Sequence, residues 1–200
     1  RVAALPAESG GHVTFGCFGN PGKITDLCIE LWASVLNTVE GSRLILRYQG
    51  YEDPVVRQDF VQRFSNVGIE PSRIDFEGST SYRDVLDTYN RVDIALDTYP
   101  YSGTMTTMEA LWMGVPVVTL AGDRTLARQA AGQLSAAGLG ELIADDTEAF
   151  VTVASSLARN VGRLANYRSS MRSCLSKSPL CDAVDLARAL EVAYRTMWLN

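Results

Sequence analysis

The sequence predicts an α/β protein: a doubly wound parallel sheet of five or six strands, with helices on both faces and extra helices at its C-terminal end. Short β-rich runs alternate strictly with stretches of helical periodicity up to residue 144, the pattern of βαβ units. The central strand runs are largely apolar rather than alternating, as strands covered on both faces require. Composition agrees, since 46% apolar and 20% charged residues over 200 positions build a full core without staples.

Residues 1–11 mix Pro6, Gly10 and Gly11 with small residues and show no period, so they read as a linker. Residues 12–200 read as one domain. Positions 13–17 form the first strand. A helix over 25–39 follows from apolar residues at 24, 27, 28, 31 and 35. The second strand is 43–48. Over 54–67, Val56, Phe60, Phe64 and Val67 share a helical face, and Pro54 suits a first turn. Residues 73–77 are the third strand. Ser81 followed by Asp84 caps a helix over 81–90. Residues 93–97 make a buried strand and 99–104 a turn-rich loop. A short helix over 106–113 is closed by Gly114, and 115–120 is the fifth strand. The segment 126–137 is helical and closed by Gly138, and 142–144 is a short sixth strand. Helices over 147–160, 163–176 and 182–198 complete the chain, with Pro179 between the last two. Ala183, Leu186, Leu190, Ala193 and Met197 line one stripe of the final helix.

Several functional classes fall away. Eighteen basic against 23 acidic residues give a net charge of −5, which lacks the basic footprint of a nucleic-acid binder. The longest apolar run, 115–121, is too short to span a membrane. No signal peptide opens the chain, so a cytoplasmic location is expected. It begins with Arg1 rather than Met, as a piece of a longer protein or a trimmed terminus would. Cysteines at 17, 28, 174 and 181 form no Cys-x-x-Cys and are expected to be buried thiols. The lone histidine, His12, rules out a zinc site built on histidines, and an ordinary Ser-His-Asp triad unless His12 serves it.

In a doubly wound sheet, ligands sit beyond the carboxyl ends of the strands. After the first strand, Gly16, Gly19 and Gly22 are spaced by three, which fails the dinucleotide fingerprint. The phosphate-loop motif fails too, with Cys17 where its first glycine belongs and Ile24 where a hydroxyl should hold magnesium. What remains is a Gly-rich loop bringing Lys23 to a helix N-terminus, which suits an anion. The alternative is a solvated lysine in an ordinary turn.

The loop after the fourth strand says more. Gly103 permits close backbone approach, and Thr104, Thr106 and Thr107 place hydroxyls at a helix mouth that can hold a diphosphate. Glu109, about a turn further on, suits a ribose diol. The competing reading makes Thr104 a plain N-cap and Glu109 a first-turn partner of the helix dipole.

The run 95–123 (Ala-Leu-Asp-Thr-Tyr-Pro-Tyr-Ser-Gly-Thr-Met-Thr-Thr-Met-Glu-Ala-Leu-Trp-Met-Gly-Val-Pro-Val-Val-Thr-Leu-Ala-Gly-Asp) closely resembles the O-linked N-acetylglucosamine transferases, glycosyltransferase family 41, in particular bacterial homologues. So do 18–24, 93–97, 134–144 and 178–182, so the resemblance covers almost the whole chain. It implies the Rossmann-like C-terminal half of a GT-B enzyme, the half that binds the nucleotide-sugar, with the N-terminal half and the usual tetratricopeptide repeats absent from this sequence. The implied activity is inverting transfer of N-acetylglucosamine from its UDP-sugar to Ser or Thr of a protein acceptor. Some relatives transfer fucose or other hexoses.

Carried over by position, the resemblance assigns Lys23 to the diphosphate, with Asn20 nearby. It places Thr104 and Thr106 at the diphosphate-binding helix mouth, Glu109 at the ribose, and Tyr82 with its neighbours Thr80–Val85 around the uracil. Val85 stands where many relatives have His, and Met105 where they have threonine. No Asp-x-Asp occurs, so a metal-independent reaction without cofactor is expected, in agreement with the family. No catalytic base is identifiable. The alternative function is a noncatalytic nucleotide-binding or interaction module that kept the fold. The final helix is expected to lack cover without the other half, and self-association to follow.

Overall fold

The computed structural model describes residues 1–199. Six parallel strands form one sheet in the order β3-β2-β1-β4-β5-β6: β1 (Thr14–Cys17), β2 (Arg43–Arg47), β3 (Ile74–Glu77), β4 (Ile94–Leu96), β5 (Val117–Leu120) and β6 (Ile143–Ala144). In register, Phe15 of β1 lies opposite Leu44 of β2 on one side and Ile94 of β4 on the other. Every residue of β1, β4 and β5 is buried, as the apolar strand runs predicted, while the edge strand β3, with Asp75 and Glu77 in it, is only half-buried.

Helices fill the connections: α2 (Asp26–Thr38), α3 (Pro54–Asn66), α4 (Tyr82–Thr88), α5 (Met105–Trp112), α6 (Gln129–Ala136) and α7 (Thr147–Ala158). Two more follow, α8 (Val161–Ser176) and α9 (Ala183–Leu199). Local chemistry sets their starts. Thr25 accepts the Cys28 N–H and opens α2, Pro54 occupies the first turn of α3, and Ser81 with Asp84 forms the expected capping box on α4. Gly114 ends the α5 segment with φ of 73°, where a Cβ would lie 2.7 Å from the Arg168 carbonyl oxygen. Only glycine fits that left-handed position against α8. Arg168 is itself buried, and its guanidinium donates to the carbonyls of Tyr89, Val92 and Met113, tying α8 to the ends of its neighbours.

Three expectations change. Residues 1–11 do not run free as a linker would: α1 (Pro6–Gly10) forms there, Leu5 is buried, and the Asp93 carboxylate accepts the N–H groups of Ala7 and Thr14. A five-residue helix with one apolar anchor is too short to show a period. The segment 126–137 begins as a 3-10 turn over Thr125–Ala127, and the α-helix starts only at Gln129. Cys17 and Cys28 are buried, but Cys174 and Cys181 are exposed, one on the solvent side of the last turn of α8 and one in the turn after it. Helix α9 buries none of its residues, so its apolar stripe is uncovered. Among the described residues, no helix is long and apolar enough to cross a membrane.

Candidate nucleotide site

The chain leaves β1 toward β2 on one side and β4 toward β5 on the other, so the loops after β1 and β4 diverge and open a crevice at the strand ends. Backbone and side chains lace these two loops together. The Thr25 hydroxyl donates to the Tyr99 carbonyl at 2.9 Å, and the Tyr99 N–H donates to Cys28 Sγ at 3.1 Å. In the first loop the Asn20 side chain accepts the Gly22 N–H at 2.9 Å and shapes the turn Pro21–Lys23. Lys23 leaves that turn half-buried, with Nζ 3.7 Å above the Tyr101 ring and 3.5 Å from the Ser102 carbonyl oxygen.

Asp97 organises the second loop. Its buried carboxylate accepts the Thr98 N–H at 2.8 Å, the Gly103 N–H at 2.7 Å and the Thr119 hydroxyl at 2.7 Å. Burial pushes its pKa up to about 6, although those three bonds pull the other way. Gly103 sits against this carboxylate so closely that a Cβ would meet the hydroxyls of Thr106 and Thr107 at 2.8 Å. Thr104 precedes α5 but does not cap it. Its hydroxyl donates to Gln129 at 2.9 Å, which leaves the first-turn N–H groups of α5 without a side-chain cap.

Glu109 is the fifth residue of α5, beyond the first turn, so the dipole-partner reading does not describe it. The Tyr89 hydroxyl donates to it at 3.3 Å. Tyr82 lies beside it, exposed, and burial of its hydroxyl and the Glu109 carboxylate push the Tyr82 phenol up. Tyr89 was not singled out in the sequence, yet it connects the loops. Fully buried, it stacks on Phe18 at 3.7 Å between ring centroids and also donates to the Thr106 carbonyl.

A cavity of about 310 Å³ opens between the ends of β2, β3 and α5. Thr80, Tyr82, Thr106 and Glu109 line it together with Phe18, Tyr48, Gln49 and Val85. Asn20, Lys23, Gly103 and Thr104 lie outside it, at the crossing of the two loops, and Phe18 and Thr106 border both this cavity and the small crevice under the loops. Thr107 is buried in that crevice rather than open at the helix mouth. Thr80 is already engaged, since its hydroxyl accepts from Arg47. Arg47, another residue the sequence did not flag, is buried in the cavity wall and pairs with Glu77. Burial would raise the Glu77 carboxyl, but the Thr88 hydroxyl and the Arg91 and Arg47 guanidiniums hold it below its usual range. Among the described residues, no group of three His, Cys, Asp or Glu side chains is placed to hold a metal ion.

Residues 4–190 match the profile of Glycosyl transferase family 41. The chain is 41% identical over 198 residues to the probable UDP-N-acetylglucosamine–peptide N-acetylglucosaminyltransferase SPINDLY of Solanum lycopersicum, covering 98% of this chain and 21% of that protein. It is 31% identical over 189 residues to the UDP-N-acetylglucosamine–peptide N-acetylglucosaminyltransferase of Caenorhabditis elegans, covering 93% of this chain and 16% of that protein. The chain thus spans about a fifth of the length of these curated relatives. A mutant O-GlcNAc transferase of Thermobaculum terrenum superposes with a TM-score of 0.90 at 38% identity, over 97% of this chain and 38% of that one. HepE of Anabaena, solved with UDP and glucose, shares the fold at a TM-score of 0.62 and 15% identity, over 93% of this chain and 51% of that one.

Proposed function

Because the chain belongs to Glycosyl transferase family 41, we propose that it is the UDP-sugar-binding half of an inverting, metal-independent protein O-glycosyltransferase, moving N-acetylglucosamine to Ser or Thr hydroxyls in the cytoplasm. One observation carries this reading. The Lys23 ammonium lies 3.5 Å from the Ser102 carbonyl, in the loop that leads into the uncapped N-terminus of α5, and Glu109 stands further along that helix at the edge of the 310 Å³ cavity. That order matches a diphosphate, then a ribose, then a base in the cavity.

In the reaction the bond between the anomeric carbon and the β-phosphate oxygen breaks, and UDP departs with the bonding pair. Lys23 and the N–H groups of α5 meet the charge that grows on the diphosphate, as a fixed electrostatic clamp. The acceptor hydroxyl attacks from the opposite face of the sugar and gives up its proton to a base outside the residues assigned here. That division of labour places the acceptor groove on another part of the enzyme, as the small share of the relatives covered by this chain suggests.

A second reading, a noncatalytic nucleotide-binding module, draws on two positions. Met105 stands exposed at the mouth of α5 and offers a phosphate no polar group, and Val85 gives the cavity wall an apolar side chain. Titration with UDP, followed by donor hydrolysis and peptide transfer assays on the full-length enzyme, separates the two. Binding with turnover supports the transferase, binding without turnover supports the module, and absence of UDP binding defeats both.

A further inference from the structure

We propose that Tyr101 is a positioning residue, whose ring holds the Lys23 ammonium unpaired and pre-aimed at the crossing of the two loops where a nucleoside diphosphate docks. The inference rests on the reading of Lys23 as a diphosphate ligand and goes beyond it by naming what orders that lysine before the ligand arrives.

Lysine carries its charge on a flexible four-carbon stem with high rotamer entropy, so an unrestrained lysine loses affinity when a ligand must order it. Proteins commonly order a lysine with a carboxylate, which also neutralises it. Here the ammonium takes part in none of the ion pairs among the described residues. It rests instead 3.7 Å above the centroid of the Tyr101 ring, with the Ser102 carbonyl oxygen at 3.5 Å. An aromatic face attracts a cation through its quadrupole and takes up no N–H donor. The lysine is therefore held while most of its donors stay available to an anion, with only a longer-range attraction to the buried Asp97 carboxylate.

The backbone that carries the ring is in turn fixed. The Thr98 hydroxyl donates to the Tyr101 carbonyl at 2.6 Å, and Thr98 follows the buried anchor Asp97. Two positions earlier, the Tyr99 backbone is tied to Thr25 and Cys28 at the start of α2, directly after the turn that carries Lys23. Lys23 and Tyr101 thus ride on two loops that are bonded to each other, so their separation is set by the scaffold. Tyr101 is 44% exposed, which leaves it accessible to a ligand arriving at the lysine.

A double-mutant cycle on UDP affinity tests this, using calorimetric titration of the protein with Tyr101→Leu, Lys23→Ala and both together, beside Tyr101→Phe and a thermal melt of each variant. Tyr101→Leu should weaken UDP binding by roughly three- to fivefold, the scale of a partly exposed cation–π contact. Tyr101→Phe, which keeps the face and loses only the hydroxyl, should bind within about twofold of the parent. In the Lys23→Ala background, Tyr101→Leu should cost nothing further. An equal loss in both backgrounds would show that Tyr101 acts on the ligand or the fold directly and would overturn the proposal, as would a Tyr101→Phe defect as large as that of Tyr101→Leu. If Lys23→Ala alone leaves affinity unchanged, the site reading falls as well. If it weakens binding but no coupling appears, only the role of Tyr101 falls.

Discussion

The Asp97 carboxylate accepts the Gly103 N–H at 2.7 Å and thereby closes the loop that sets the entrance of α5. The same group binds Thr119 on the neighbouring strand, so one buried acid fixes the loop to the sheet. Its pKa of about 6 lies above the usual aspartate range, chiefly because it is desolvated.

That shift has a definite sign. Between about pH 4 and 6 the folded protein binds the Asp97 proton more tightly than the unfolded chain does, so this group's contribution to stability falls as pH rises through that window and is constant above it. The difference is roughly 3 kcal/mol. Asp97→Asn should remove this slope: urea denaturation should show the variant gaining on the parent as pH is raised from 4.5 to 7. A constant difference across that range would contradict the assignment.

Lys23→Ala should weaken UDP binding by about 1.5–3 kcal/mol, the scale of a hydrogen bond to a charged group. Because the lysine is only half-buried in a turn, the melting temperature should move little. Titration and a thermal melt on one preparation separate the two effects, and an unchanged affinity would remove Lys23 from the site.

Glu109→Gln should cost UDP roughly tenfold and inorganic pyrophosphate much less, because only UDP carries a diol for the carboxylate to bind. The amide still offers Tyr89 an acceptor, so the helix should stay in place. Equal losses for both ligands would make Glu109 structural.

EDTA should change neither UDP binding nor transfer by the full-length enzyme, since Lys23 and the α5 N-terminus would take the place of a cation at the diphosphate. Activity lost to the chelator and restored by manganese would contradict it.

Helix α9 exposes Leu186, Leu190 and Met197 along one stripe, with Trp198 beside it. An uncovered stripe of this kind drives association. Sedimentation of the 200-residue chain should show self-association that Leu186→Glu and Leu190→Glu together reduce. A monomer at all concentrations would show that the stripe is tolerated in water.

Much of this was legible in the sequence. The alternation of apolar runs and helical periods placed all six strands, and Ser81, Asp84 and Gly114 marked helix ends by local chemistry that needs no tertiary context. Lys23 and Glu109 were singled out because the ends of strands in such sheets are where ligands sit. Side-chain partnerships between distant loops were not legible. Phe18 on Tyr89, Tyr101 under Lys23 and Arg47 on Thr80 depend on which strands become neighbours, and periodicity does not set strand order. Thr104 and Thr107 show the same limit. A threonine before a helix usually caps it, but here Gln129 of α6 takes the Thr104 hydroxyl, and Thr107 turns into the crevice under Gly103.

A crystal structure of the chain with UDP would locate the nucleotide against Lys23, Glu109 and α5. The diphosphate should lie within hydrogen-bond distance of Lys23 Nζ and the first N–H groups of α5, the ribose hydroxyls on Glu109, and the uracil in the 310 Å³ cavity beside Tyr82 and Val85. UDP bound elsewhere on the sheet, or a diphosphate that touches neither Lys23 nor α5, would contradict it.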